Sequence, residues 1–155
     1  MKVLIVGAGG QGGACASILS RQKEIDEIIL ADLKEETAMK VAKNIGSDKI
    51  KTDHINATDP DDVARAAQGV DVVIDMVMPW MVQYVMKGAL KAKANYINTA
   101  FDTPYWDEFL DGKGPEELTL SKDLRLCLDA ALLPAGLMCW QENLQTGLMK
   151  LTASR

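Results

Sequence analysis

Six residues near the start of the chain, Gly7-Ala8-Gly9-Gly10-Gln11-Gly12, carry the spacing G-x-G-x-x-G. Each glycine of such a run answers a separate physical demand. Gly7 permits a tight turn out of a strand, Gly9 lets backbone approach a diphosphate, and Gly12 lets the following helix pack closely. The N–H groups that open the helix, with Gly10 and Gln11 among them, hold negative oxygens with the aid of the helix dipole. Glycine-rich turns are common, so context decides. Here the run follows the aliphatic segment Lys2-Val3-Leu4-Ile5-Val6 and precedes Ala14 to Gln22, where Cys15, Ile18 and Leu19 recur at helical spacing.

The same chemistry asks for a carboxylate about 20 residues further on, at the tip of the second strand, to accept hydrogen bonds from a ribose. Asp32 stands there, at the end of Ile28-Ile29-Leu30-Ala31 and followed by Leu33. Together these residues predict a dinucleotide site. A carboxylate suits the ribose hydroxyls of NAD and repels the 2′-phosphate of NADP, so NAD is favoured, with Lys34 close enough to offer a phosphate some compensation.

Further contacts are expected beyond the carboxyl ends of the other strands, where ligands of such folds sit. The candidates are Asn56 and Ala57, then Val77, Met78 and Pro79, then Thr99. Asn56 and Thr58 suit plain turn and capping roles equally well. Met76, Met78 and Met81 fit either a soft wall beside a nicotinamide or gap-filling in the core.

The elements that would position these residues alternate. Strands are expected at Lys2 to Val6, Ile25 to Ala31, Ile50 to Asn56, Val70 to Met76 and Ala94 to Asn98, with a sixth at Leu124 to Asp129. Helices are expected at Ala14 to Gln22, Glu35 to Ile45, from the Asp59 cap to Gln68, and at Pro79 to Lys93. Short connections between them imply right-handed crossovers, and so an α/β fold with a doubly wound parallel sheet covered by helices on both faces. After Thr99 the pattern loosens: Pro104, Gly112, Gly114 and Pro115 predict loops, with one short helix at Tyr105 to Leu110. Leu137 to Leu151 has the spacing of an amphipathic helix. The expected division is a dinucleotide-binding unit over 1–137, then 138–155 as a helical tail or the start of a substrate domain.

Composition narrows the function classes. The chain has 155 residues, with 17 Lys and Arg against 22 Asp and Glu, a net charge of −5. That balance argues against a nucleic-acid or anionic-membrane partner. No apolar run approaches the roughly 18–20 residues of a membrane-spanning helix. The basic and apolar start resembles a short signal peptide, but the glycine cluster that ends it reads better as a strand running into a turn. Cys15, Cys127 and Cys139 are odd in number and widely spaced, as in a cytoplasmic protein with reduced thiols.

Proton-transfer chemistry has few candidates. His54, the one histidine, falls in the polar third strand, away from where a hydride would move. Lys87, Lys91 and Lys93 read as a solvated helix face, and Asp102, Tyr105 and Asp107 as loop residues that could border a cleft. Cys15 opens no reactive site beyond its place in the first helix. No Ser-His-Asp grouping or metal-ligand cluster is visible around the one histidine, so no catalytic residue is assigned.

The segments Gly7-x-Gly9-Gly10-x-Gly12, Asn56-Ala57-Thr58-Asp59, Asp71-Val72-Val73-Ile74-Asp75 with Pro79, and Tyr96-Ile97-Asn98-Thr99-Ala100 resemble the saccharopine dehydrogenase family. The resemblance covers about Met1 to Leu137. It implies an NAD(P)-binding Rossmann domain of an oxidoreductase acting on amino-acid amines, and hence a dinucleotide and an amino-acid-like substrate as partners. Asn98 and Ala100 stand where family members usually carry Asp and Ser, and Ala131 and Ala135 stand where glycines are common. Family members continue into a second domain that binds substrate. Three readings therefore stay open: part of an oxidoreductase, a non-catalytic dinucleotide-binding module, or a truncated fragment that associates with itself through Trp80, Trp106 and Trp140.

Overall fold

The structure, a computed structural model, describes residues 1–99 and 126–127. Its centre is a parallel sheet of β1 (Lys2–Val6), β2 (Glu27–Asp32), β3 (Ile50–His54), β4 (Val72–Asp75), β5 (Asn95–Asn98) and β6 (Leu126–Cys127), in the order β3-β2-β1-β4-β5-β6. Every pairing is parallel, and β1 lies between β2 and β4. The strand order reverses at β1, so the crevice that receives ligands in open α/β sheets lies above the ends of β1 and β4.

Helices α1 (Gly10–Leu19), α2 (Glu35–Ile45), α3 (Pro60–Ala66) and α4 (Val82–Lys91) link the strands. Alternate residues of the central strands feed two cores, as a sheet buried on both sides requires. Val3 and Ile5 join Ala16, Ile28, Leu30 and Ala38 under α1 and α2. Leu4 and Val6 join Val63, Val73, Val85, Met86 and Tyr96 under α3 and α4. α3 opens as its residues dictate: Asp59 Oδ1 accepts the Asp61 N–H at 2.9 Å, and Pro60 takes the first position. α3 and α4 touch at Gly88, where a Cβ would overlap the Val63 side chain and lie 2.9 Å from the Pro60 carbonyl oxygen.

Several boundaries differ from the expected ones. α1 begins at Gly10 rather than Ala14, because the glycines themselves form its first turn. β4 is shorter than Val70 to Met76, since Val70 closes the turn after α3 and the chain bends at Val77. The segment expected as one helix from Pro79 is a 3₁₀ turn, Pro79–Met81, followed by α4, which ends at Lys91. Lys93, at φ 58°, turns the chain into β5. The helices expected at Tyr105 to Leu110 and Leu137 to Leu151, the loop candidates Asp102, Tyr105 and Asp107, and the tail 138–155 lie outside the described residues.

Candidate dinucleotide site

The glycine run crosses from the end of β1 into α1, over the reversal point of the sheet. Gly7 adopts φ +100°, and a Cβ there would sit 3.0 Å from the Met76 carbonyl oxygen. A Cβ on Gly12 would overlap the Gly7 carbonyl oxygen, so only glycine lets α1 approach the turn this closely. Gly9 and Gly10 differ from both. Each is exposed, and no atom lies within 4 Å of where its Cβ would be. Gly9, at φ −67°, needs no glycine for its backbone conformation. The fold thus explains Gly7 and Gly12 and leaves Gly9 and Gly10 as bare backbone facing open space.

That space is bordered by amides. No side chain caps α1 and no acidic residue occupies its first turn, in contrast with Asp59 at the start of α3. The first N–H groups of α1 therefore keep their capacity for an external acceptor. Gln11 is exposed on the same turn. A groove beside it is lined by Ala8, Gly9, Gly10, Thr37, Lys40 and Asn44, running between the start of α1 and the length of α2.

Asp32, the last residue of β2, is tied to the glycine run. Its Oδ2 accepts the Ala8 N–H at 2.8 Å, and its Oδ1 accepts the Lys34 N–H at 3.0 Å. An ionised carboxylate offers about four acceptor sites, so two such bonds orient Asp32 and leave capacity for hydroxyl donors. Leu33 follows at 60% exposure, an apolar surface next to that carboxylate.

The other candidates divide by what they touch. Asn56 builds a turn, its Oδ1 accepting from the Thr58 N–H at 3.1 Å and the Thr58 hydroxyl at 2.8 Å. Its own N–H donates to Asp62 Oδ2 at 2.7 Å. Burial pushes the Asp62 carboxyl up, but the Asn56 amide and the Arg65 guanidinium outweigh it, and its pKa lies below the ordinary value. Ala57 is buried in the α3/α4 core. Val77, Met78 and Pro79 lie one residue past β4, with Met78 exposed, and a Cβ placed on Gly7 would come within 3.2 Å of Val77 Cγ1. The Thr99 hydroxyl meets Met76 Sδ at 3.6 Å, which joins the ends of β5 and β4.

His54 is exposed, and its carbonyl accepts from Arg65 at 2.8 Å. Burial raises the Cys15 pKa, as suits a packed thiol rather than a reactive one. Among the described residues no group of His, Cys, Asp and Glu could hold a metal ion, and no helix is long and apolar enough to cross a membrane. One polar cluster was not foreseen: Asp75, Tyr96 and Asn98 are all buried where β4 and β5 end. Its only sign in the sequence is polar residues in otherwise apolar strands.

The family model for the saccharopine dehydrogenase NADP-binding domain matches residues 3–113, which includes the glycine run, Asp32 and the segment after β4. The chain belongs to the saccharopine dehydrogenase family. Its described part is that family's dinucleotide-binding domain, and the resemblance carried by the Asn56 and Tyr96 segments is borne out. A carboxyaminopropylagmatine dehydrogenase of Synechocystis sp. is 33% identical over 101 residues, 64% of this chain and 25% of that protein. A malate dehydrogenase of Cytophaga hutchinsonii is 35% identical over 81 residues, 51% of this chain and 26% of that protein. The chain thus spans about a quarter of the length of the curated relatives it matches. Among solved structures, the apo saccharopine dehydrogenase (L-Glu forming) of Saccharomyces cerevisiae aligns with a TM-score of 0.68 at 20% identity, covering 83% of this chain and 26% of that one. GenD2 from gentamicin A biosynthesis, solved with NAD, aligns at 0.60 and 16% identity over 84% of this chain and 34% of that one. At such identities these two likenesses establish the shared Rossmann fold.

Proposed function

We propose that the crevice above β1 holds a nicotinamide dinucleotide for a hydride transfer on an amino-acid amine. The observation that carries this reading is the division of the glycines: two are explained by the protein's own packing, and two leave amides bare beside an oriented carboxylate. The α1 amides at Gly10, Gln11 and Gly12 would take the diphosphate, with Gly9 giving the clearance. Asp32 would accept the adenosine ribose hydroxyls and Leu33 would flank the base. Val77, Met78, Pro79 and Thr99 would border the nicotinamide half, because they lie on the β4 and β5 side of the glycine turn. When bound, the nicotinamide supplies the hydride chemistry; the chain's own residues bind and orient it.

NAD is the preferred form in this reading. The family description names NADP, but a carboxylate at position 32, already held by two N–H donors, opposes a 2′-phosphate. Residues 1–137 act as the dinucleotide-binding unit, and the amine substrate is taken up with chain beyond it. The amine class is supported by the saccharopine and carboxyaminopropylagmatine dehydrogenases that the chain resembles. Asp32→Arg tests the cofactor assignment. It should weaken NADH binding and strengthen NADPH binding, each by about tenfold or more, an interaction change of roughly 1.4 kcal/mol. Unchanged affinities for both would remove Asp32 from the site.

A further inference from the structure

Asp75 closes β4 with its side chain in the apolar layer under α3 and α4, at 2% exposure. Its neighbour on that face, Val73, shows that a plain aliphatic residue satisfies the packing there. A buried carboxylate is retained at a cost in desolvation unless its bonds accomplish something an aliphatic side chain does not. Two bonds are made. Oδ2 accepts the Tyr96 hydroxyl at 2.6 Å, and Oδ1 accepts the Val77 N–H at 3.0 Å.

The second bond bends the chain just past the strand. Met76 N–H still follows the β1–β4 ladder, donating to the Val6 carbonyl at 2.9 Å, and a Cβ on Gly7 would meet the Met76 carbonyl oxygen at 3.0 Å and Val77 Cγ1 at 3.2 Å. Tyr96, buried on β5, anchors the carboxylate from the far side. The sheet order puts Asp32 on the β2 side of the glycine turn and the Val77 bend on the β4 side. The two carboxylates therefore brace opposite flanks of one turn, Asp32 through Ala8 N–H and Asp75 through Val77 N–H.

We propose that Asp75, anchored by Tyr96, is a positioning residue that sets the 77–79 segment against the nicotinamide half of the dinucleotide. The inference rests on the dinucleotide reading above. A positioning role affects the two halves of the ligand unequally, whereas general loosening of the fold affects them alike. NADH carries both halves; ADP carries the adenosine and diphosphate alone.

Calorimetric titration of both ligands into the full chain separates the cases. Asp75→Ala should weaken NADH about tenfold or more, as a wall displaced by an ångström does, and change ADP by less than about twofold. Asp75→Asn should restore NADH affinity, because its amide oxygen accepts from Val77 and its NH₂ donates to the Tyr96 oxygen. Tyr96→Phe keeps the ring packing and should give an intermediate loss for NADH, which serves if Asp75→Ala does not fold. Equal losses for NADH and ADP, or unchanged NADH affinity in Asp75→Ala and Tyr96→Phe, would overturn the positioning role. Failure of the parent chain to bind either ligand would overturn the dinucleotide reading beneath it.

Discussion

The glycines of one motif stand under different constraints, and substitution separates them. Gly12→Ala drives a Cβ into the Gly7 carbonyl and should destabilise the fold by about 3 kcal/mol or more, read as a lowered urea midpoint. At Gly9 a Cβ meets nothing within 4 Å beyond its chain neighbours, so Gly9→Val should fold with its far-UV spectrum and midpoint nearly intact while dinucleotide binding is lost. A Gly9 variant that binds normally would show that the open space beside it is not the diphosphate seat. Asp75 gives a further test. Burial raises its pKa, while the Tyr96 hydroxyl and Val77 N–H counter this in part. An acid whose folded-state pKa lies above its unfolded one contributes stability below the unfolded value and loses it as pH rises through the folded one. Asp75→Asn does not titrate and can bond the same two partners, its oxygen accepting from Val77 and its NH₂ donating to the Tyr96 oxygen. Its stability relative to the parent should rise as pH climbs above the ordinary carboxylate range, because the parent alone loses stability there. A difference that stays flat with pH would place an unperturbed carboxyl at this position.

At the scale of elements, the strand-helix alternation was legible because β1, β2 and β4 are short aliphatic runs and helices such as α2 and α3 carry their own stops or caps. β1 and the order of elements through β5 follow directly from that pattern. The glycine run was legible too, since its spacing and its place between strand and helix carry separate physical demands. The start of α1 was not, because glycines score poorly as helix formers and the turn is imposed by packing on β1. The split of the fourth helix was hidden for a similar reason: Pro79 marks a beginning and does not say whether the first turn is 3₁₀ or α. Least legible was the Asp75–Tyr96 pair, 21 positions apart, which exists only because β4 and β5 lie side by side. Gly88 also looked ordinary within its helix. Its contact with Val63 and Pro60 predicts that Gly88→Ala separates α3 from α4 and costs about 1–3 kcal/mol, measured by chemical denaturation. An unchanged midpoint would mean that the two helices have room to spare.

For the molecule as a whole, sheet order and charge act together. The reversal at β1 gathers the glycine turn, Asp32 and the Val77 bend at one end of the sheet, although they come from three separate parts of the chain. With a net charge of −5 the chain as a whole does not attract a diphosphate, so its retention depends on local groups, the α1 amides and dipole among them. The central claim is therefore a specific binding event. Calorimetric titration of NADH and NADPH into the full chain tests it most directly. The account predicts saturable binding at one site per chain, tighter for NADH than for NADPH, and abolished for both by Gly9→Val. Absence of heat with either nucleotide, or equal binding by the parent and Gly9→Val, would contradict it.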